Sequence, residues 1–218
     1  MNQVAPDVWQ IPLLPRNAVN AYLVGDVIVD AGAKGMGKKV VGAVAEHDIR
    51  AHAITHAHGD HLGGSKHVLE TLGLPYWVPA DDVAAVEAGR MVVAESPVKP
   101  LMNMGAKFDP LHVDRPLQEG DELAAGFTVL DTPGHSPGHV SFWRESDRVL
   151  VCGDVFFHFN MLTWQYELRQ PVKAFTVDPE LNRASERKLA ELEPAVACFG
   201  HGPPLRDPAK IKAFVAAL

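Results

Sequence analysis

Within the stretch Thr55–Gly64, THAHGDHLGG, three histidines and an aspartate fall in six residues: His56, His58, Asp60 and His61, in the pattern H-x-H-x-D-H. Neutral imidazoles and ionised carboxylates are the side chains that hold borderline divalent metals. The spacing also selects the backbone. A ligand pair on a helix is four residues apart, whereas His56 and His58 are two apart, which puts both rings on one side of an extended segment. Asp60 and His61 then begin a turn into a helix and face a neighbouring position. One ion takes about four ligands. Strand geometry splits the four candidates into two pairs, so the loop is read as one wall of a site for two adjacent metals. Gly59, Gly63 and Gly64 admit tight backbone where ligands crowd.

Three further ligand-grade residues sit at similar places. His135 lies in TPGHSPGH, Asp154 in VLVCGDV and His201 in ACFGHGPP. Each follows an apolar, strand-like run and has glycine nearby. Converging strand ends are what a site held on rigid elements requires. Other residues take supporting roles. His139 reads as a strand-start histidine behind the ligands, and Thr55 and Ser136 as hydrogen-bond partners to ligands from behind. After Asp154 comes VFFHFNMLTWQY, a dense aromatic run read as part core and part pocket wall. His158 is its one imidazole and is read as a catalytic group that touches an oxyanion or a leaving group.

The elements that must position these residues follow from periodicity and turn residues. Strands are expected over Val8–Leu14, Ala18–Val24, Val27–Asp30, Ala51–Thr55, Tyr76–Val78, Glu122–Leu130, His139–Trp143, Val149–Cys152 and Val196–Phe199. Helices are expected over Gly35–His47, Ser65–Leu72 with Ser65 as N-cap, Asp81–Ala88, Pro179–Leu192 and Pro208–Ala217. The segment Gly89–Pro116 carries four prolines and no sustained period, and is read as a lid or pocket rim. The order of elements fits an α+β fold in which two sheets pack together with helices outside. No repeat or linker divides the 218 residues, so 1–218 is read as a single domain.

Composition narrows the partners. The formal charge of −7 is spread without a basic stripe, which disfavours nucleic acid and an anionic membrane surface. No apolar run approaches the roughly 18 residues of a membrane span. The N-terminal MNQVAPDVWQIPLLP has no basic n-region or long apolar run, so a cytoplasmic chain is expected. Cys152 and Cys198 lie in apolar strands and are read as buried free thiols. The expected partner is a small-molecule substrate.

H-x-H-x-D-H, then TPGHSPGH, CGD and GHG, in that order, resembles the metallo-β-lactamase superfamily across nearly the whole chain. The resemblance implies a four-layer αββα sandwich with a dimetal site along one edge. It implies that His56, His58 and His135 hold one metal, that Asp60, His61 and His201 hold the other, and that Asp154 bridges them. Zinc is the ordinary metal for such donors, and manganese or iron are also accepted. The expected chemistry is a shared water, acidified to near neutrality, attacking the carbonyl of a small ester, lactone or thioester, with Asp60 orienting the nucleophile. Departures from several branches of the family accompany the resemblance. Asp154 and His61 exclude the branch with cysteine at the second metal. His58 stands where flavodiiron relatives have glutamate, and Phe156–His158 stand where acyl-homoserine lactonases have tyrosine. The alternative is a mononuclear iron persulfide dioxygenase, which would need only residues like His56, His135 and Asp154. A β-lactam hydrolase and a non-enzymatic binder are weaker readings, because unused ligands crowded together would cost stability.

Overall fold

The computed structural model describes residues 1–92 and 108–218. Eleven strands in two sheets account for the core among these residues. The first sheet runs in sequence order: β1 (Asn2–Ala5), β2 (Val8–Pro12), β3 (Asn20–Val24), β4 (Val27–Val29), β5 (Ala51–Ala53), β6 (Tyr76–Pro79) and β7 (Arg115–Leu117). β1 to β4 are antiparallel neighbours, and β4 to β7 are parallel. In the second sheet, β8 (Thr128–Asp131), β9 (Val140–Arg144) and β10 (Val149–Val151) are antiparallel. β11 (Val196–Cys198) pairs parallel to β10.

Alternation decides which face each side chain serves. Val27 and Val29 point between the sheets while Ile28 points outward. Val149 and Val151 point between the sheets while Leu150 points outward. The inter-sheet core gathers Tyr22, Trp77, Phe127 and Phe142 with these valines. Outside the first sheet lie α1 (Gly37–Ala43), α2 (Gly59–Leu62), α3 (Ser65–Leu72) and α4 (Val83–Glu87), which pack through Val40, Leu62, Val68 and Val86 on Ile28 and Ile54. Outside the second lie α5 (Pro179–Glu191) and α6 (Pro208–Ala216), packed through Leu189 and Ile211 on Leu150 and Phe199. The architecture is therefore the expected α+β fold with αββα layering.

Several local expectations change. β1 and β7 lie outside the expected strands: each is a short edge strand, and β7 carries Pro116, which only an edge tolerates. The run Glu122–Leu130 is not one strand: Ala125 (φ 49°) and Gly126 (φ 77°) reverse the chain, and the strand starts at Thr128. Ser65 does not cap α3. Gly64 holds that position, and the Ser65 hydroxyl bonds the buried His52 ring at 2.7 Å instead. Cys152 and Cys198 are buried free thiols, as expected. Of the expected lid, residues 93–107 lie outside the described residues. Among the described residues no helix is long and apolar enough to cross a membrane.

Topology explains where chemistry collects. β4, β5 and β6 run parallel, so the segments after them, carrying Asp30, His56–His61 and Asp82, emerge at the same end of the first sheet. β8, β10 and β11 share one direction in the second sheet, so His135, Asp154 and His201 also follow their strands at one end. A bond from Val140 N–H to the Thr55 carbonyl, 2.9 Å, joins these two groups of loops across the sandwich.

Candidate metal centre

His56 and His58 lie on the extended segment after β5, and His58 occupies the N-cap of α2 with φ −103° and ψ 147°. Asp60 and His61 sit in the first turns of that short helix. The chain thus switches from extended to helical between the two pairs, as their spacing requires. His56, His58 and His135 form one group whose donor atoms lie within 4.8 Å of one another, and Asp60, His61 and His201 form another. His56, His61 and Asp154 form a third, overlapping group. Asp154 Oδ2 stands between them, 3.1 Å from His201 Nε2, 3.3 Å from His61 Nε2, 3.5 Å from His135 Nε2 and 4.0 Å from His56 Nε2.

The outer nitrogens are tied down. His61 Nδ1–H donates to Asp30 Oδ2 at 2.8 Å. His56 Nδ1–H donates to Thr55 Oγ1 at 3.0 Å, and the Thr55 hydroxyl donates onward to Asp30. His135 Nδ1–H reaches Thr176 Oγ1 at 3.2 Å, and His201 Nδ1–H reaches the Ala18 carbonyl. With Nδ1 protonated in each, the Nε2 lone pair faces the centre, the arrangement that orients imidazoles toward a metal. Nε2 of His56, His58, His61 and His135, and Oδ1 of Asp154, are buried with no hydrogen-bond partner among the described residues. Orphaned buried acceptors are costly, and so many converging on one point fit a bound cation rather than a packed core.

Electrostatics divide the site. Burial drives His56, His58 and His135 toward the neutral form, which is the form that ligates. Burial presses the same way on His61 and His201, but Asp154 outweighs it, helped by Asp30 at His61 and by Asp60 at His201. Both are raised, His201 to about 10. Burial also works against ionised Asp154 and Asp60. Positive charge on His201 and His61, with bonds from His201, overrides it and holds both below the usual carboxylate range. The Asp154 half therefore draws positive charge.

Close approach is built into the backbone here. A Cβ on Gly200 would stand 2.1 Å from Asp154 Oδ1 and 2.6 Å from His61 Cε1, so only glycine lets the β11 loop pass behind both.

All seven expected ligands are thus brought together. His139 is not among the three groups. Its Nε2 accepts from Asp154 N–H at 3.0 Å, and its Nδ1–H bonds Thr132 Oγ1 at 3.0 Å, so it fixes the backbone that carries Asp154. Thr55 supports His56 as expected, whereas the Ser136 hydroxyl bonds Asp82 rather than a ligand. His158 departs from its expected catalytic place. Its Nδ1–H donates to the Pro203 carbonyl at 2.8 Å, its ring packs near Phe199, and Phe157 rather than His158 lines the cleft over the centre. Phe157 and Met161, on either side of it in the chain, line the cleft, while the His158 ring turns away.

Two buried acids escaped sequence reading. Asp30 holds Thr55 and His61. Asp82 accepts from Ala57 N–H (2.8 Å), Gly138 N–H (2.9 Å) and Ser136 Oγ (3.0 Å), tying the His56–His61 loop to the His135 loop. Both follow apolar strands, in VIVD and YWVPADD, so the strand-end position used for His135, Asp154 and His201 was the signal. A cleft of ≈ 730 Å³ opens over the centre, with His58, Asp60, His135, Asp154 and His201 on its floor.

Comparison with known proteins gives the same answer. The family profile described as the metallo-beta-lactamase superfamily matches residues 14–201. The chain is 30% identical over 213 residues to a "Probable metallo-hydrolase YybB" of Bacillus subtilis (strain 168), covering 93% of this chain and 90% of that one. It is 31% identical over 160 residues to a "Hydroxyacylglutathione hydrolase" of Methylococcus capsulatus, covering 69% of this chain and 52% of that one. A crystal structure titled as TTHA1623 in a di-iron-bound form is similar at a TM-score of 0.69 and 30% identity, over 94% of this chain and 96% of that one. The profile spans most of the chain and the fold agrees: the chain belongs to the metallo-β-lactamase superfamily and is a metallo-hydrolase with a His/Asp metal-binding cluster.

Proposed function

We propose that the chain is a dinuclear metal-dependent hydrolase of a small ester, lactone or thioester. The observation that carries this reading is the convergence of buried, partnerless Nε2 atoms around Asp154 Oδ2. His56, His58 and His135 would hold one ion, Asp60, His61 and His201 the other, with Asp154 shared. The ions, when bound, acidify water and polarise a carbonyl oxygen.

The protein's own groups do the rest. Asp60 lies 3.4 Å from His201 Nε2 and its side chain is 43% exposed on the cleft floor. It accepts a hydrogen bond from the attacking water, turns its lone pair toward the carbonyl carbon and takes up its proton. The water oxygen bonds to the carbonyl carbon, the carbonyl–X bond breaks, and X leaves as the alcohol or thiol with one proton. Behind the ligands, Asp30 holds the His61 ring, and Asp82 ties the His56–His61 loop to the His135 loop while this happens.

The thioester option draws on the hydroxyacylglutathione hydrolase relative, and the di-iron relative keeps iron beside zinc as a candidate metal. The test is turnover of an ester, lactone and thioester panel by the metal-loaded chain, beside His58→Ala. The variant is expected to lose metal and at least 100-fold of kcat/KM together, about 2.7 kcal/mol. Full turnover by a metal-depleted His58→Ala would contradict the reading.

A further inference from the structure

Among the described residues, charge in the cleft is confined to its floor and its rim. The floor carries the ligand residues. At the rim, Lys34 and Asp109 pair with each other at 3.7 Å. The described walls between them are uncharged: an apolar bank of Phe157, Met161, Val172 and Phe175, with Met91 and Phe108 also lining the cleft. The apolar bank starts against the ligands themselves, since the Phe157 ring centre lies 4.4 Å from that of His201 and 6.3 Å from that of His135. It then runs outward over side chains the core does not cover: Met161 is 45% exposed, Val172 39% and Phe175 43%. Apolar surface contiguous with a reactive centre gains from whatever apolar group the substrate brings.

We propose that this bank is an acyl subsite, and that the substrate is a carboxylic acid derivative whose carbonyl bears a saturated arm of several carbons. The proposal rests on the hydrolase reading above and names the substrate class for that same site. A carbonyl seated at Asp60 and Asp154 directs such an arm along Phe157 toward Phe175. Each methylene that leaves water on this bank strengthens binding roughly three- to fourfold. Hydrolysis releases the corresponding straight-chain carboxylate, which keeps the same contacts.

The test uses those carboxylates as probes. The zinc-loaded chain is titrated calorimetrically with acetate, butanoate, hexanoate and octanoate, and kcat/KM is measured on the matching p-nitrophenyl esters. Affinity is expected to rise about three- to fourfold per methylene, with kcat/KM rising in parallel. Phe175→Ala and Met161→Ala remove half-exposed side chains, leave the core intact and should flatten that slope. Equal affinity for acetate and octanoate overturns the acyl subsite. Turnover that ignores chain length overturns it as well, and leaves the hydrolase reading standing. Length-dependent carboxylate binding without turnover of any ester, lactone or thioester does the reverse.

Discussion

Asp30 shows how much of this centre rests on residues that never meet substrate. Its carboxylate takes Thr55 N–H, Thr55 Oγ1 and His61 Nδ1, all buried. Asp30→Asn keeps the shape and tolerates the left-handed φ of 62°, but removes the charge that orients His61. The expected outcome is about 10–100-fold weaker binding of the ion on the Asp60, His61 and His201 side, with the other side much less affected. Chelator competition reads both affinities, and equal losses at both sides would contradict this division. At this scale the sequence was most legible where the chemistry is written in residue type. His56, His58, Asp60 and His61 announce themselves by number and spacing, and His135, Asp154 and His201 by strand-end position. Asp30 and Asp82 are single acids, and a single acid carries no pattern until the fold buries it. His158 misled because its neighbour Phe157 faces the cleft while its own ring turns to the Pro203 carbonyl.

Elements carry the next level of control, and α5 carries a pH dependence. Glu186 on that helix is fully buried, with Gln170 Nε2 donating at 3.0 Å and Asn182 Nδ2 at 3.0 Å. Burial pushes its carboxyl from 4.5 up to about 7, against those two bonds. A folded-state pKa above the unfolded one means that the native state binds the extra proton. The stabilisation is complete below about pH 4.5 and is lost as pH rises through about 7. Wild type should therefore lose on the order of 1–2 kcal/mol from this group between pH 5 and 8. Glu186→Gln should flatten the profile in urea melts at the two pH values, and an unchanged slope would remove Glu186 as its cause. Element boundaries were less legible than element identities. The helices and central strands follow apolar periods, whereas β1 and β7 are short edge strands, and β7 pairs with β6, distant in sequence. The turn at Ala125–Gly126 hid within an apolar run, because only its backbone, not its composition, reverses there.

For the whole molecule, strand direction does what no single residue does. Parallel β4, β5 and β6, with like-directed β8, β10 and β11, deliver Asp30, the His56–His61 loop, Asp82, His135, Asp154 and His201 from strand ends that meet along the sandwich. The layering was legible from the order of strands and helices, because sheets hydrophobic on both faces must be covered on both. The nature of the substrate was not, because the walls of the cleft come from segments distant in sequence: Ala33–Lys34, Met91, Phe108–Asp109 and Phe157–Phe175. The central claim is that this edge holds two ions and hydrolyses a carbonyl bond with them. Its most direct test is metal identity and stoichiometry, by mass spectrometry of the elements, on protein purified without added metal. Two divalent ions per chain, falling together with hydrolysis as a chelator removes them, is the predicted result. One iron per chain, with oxygen consumed and no hydrolysis, would contradict it.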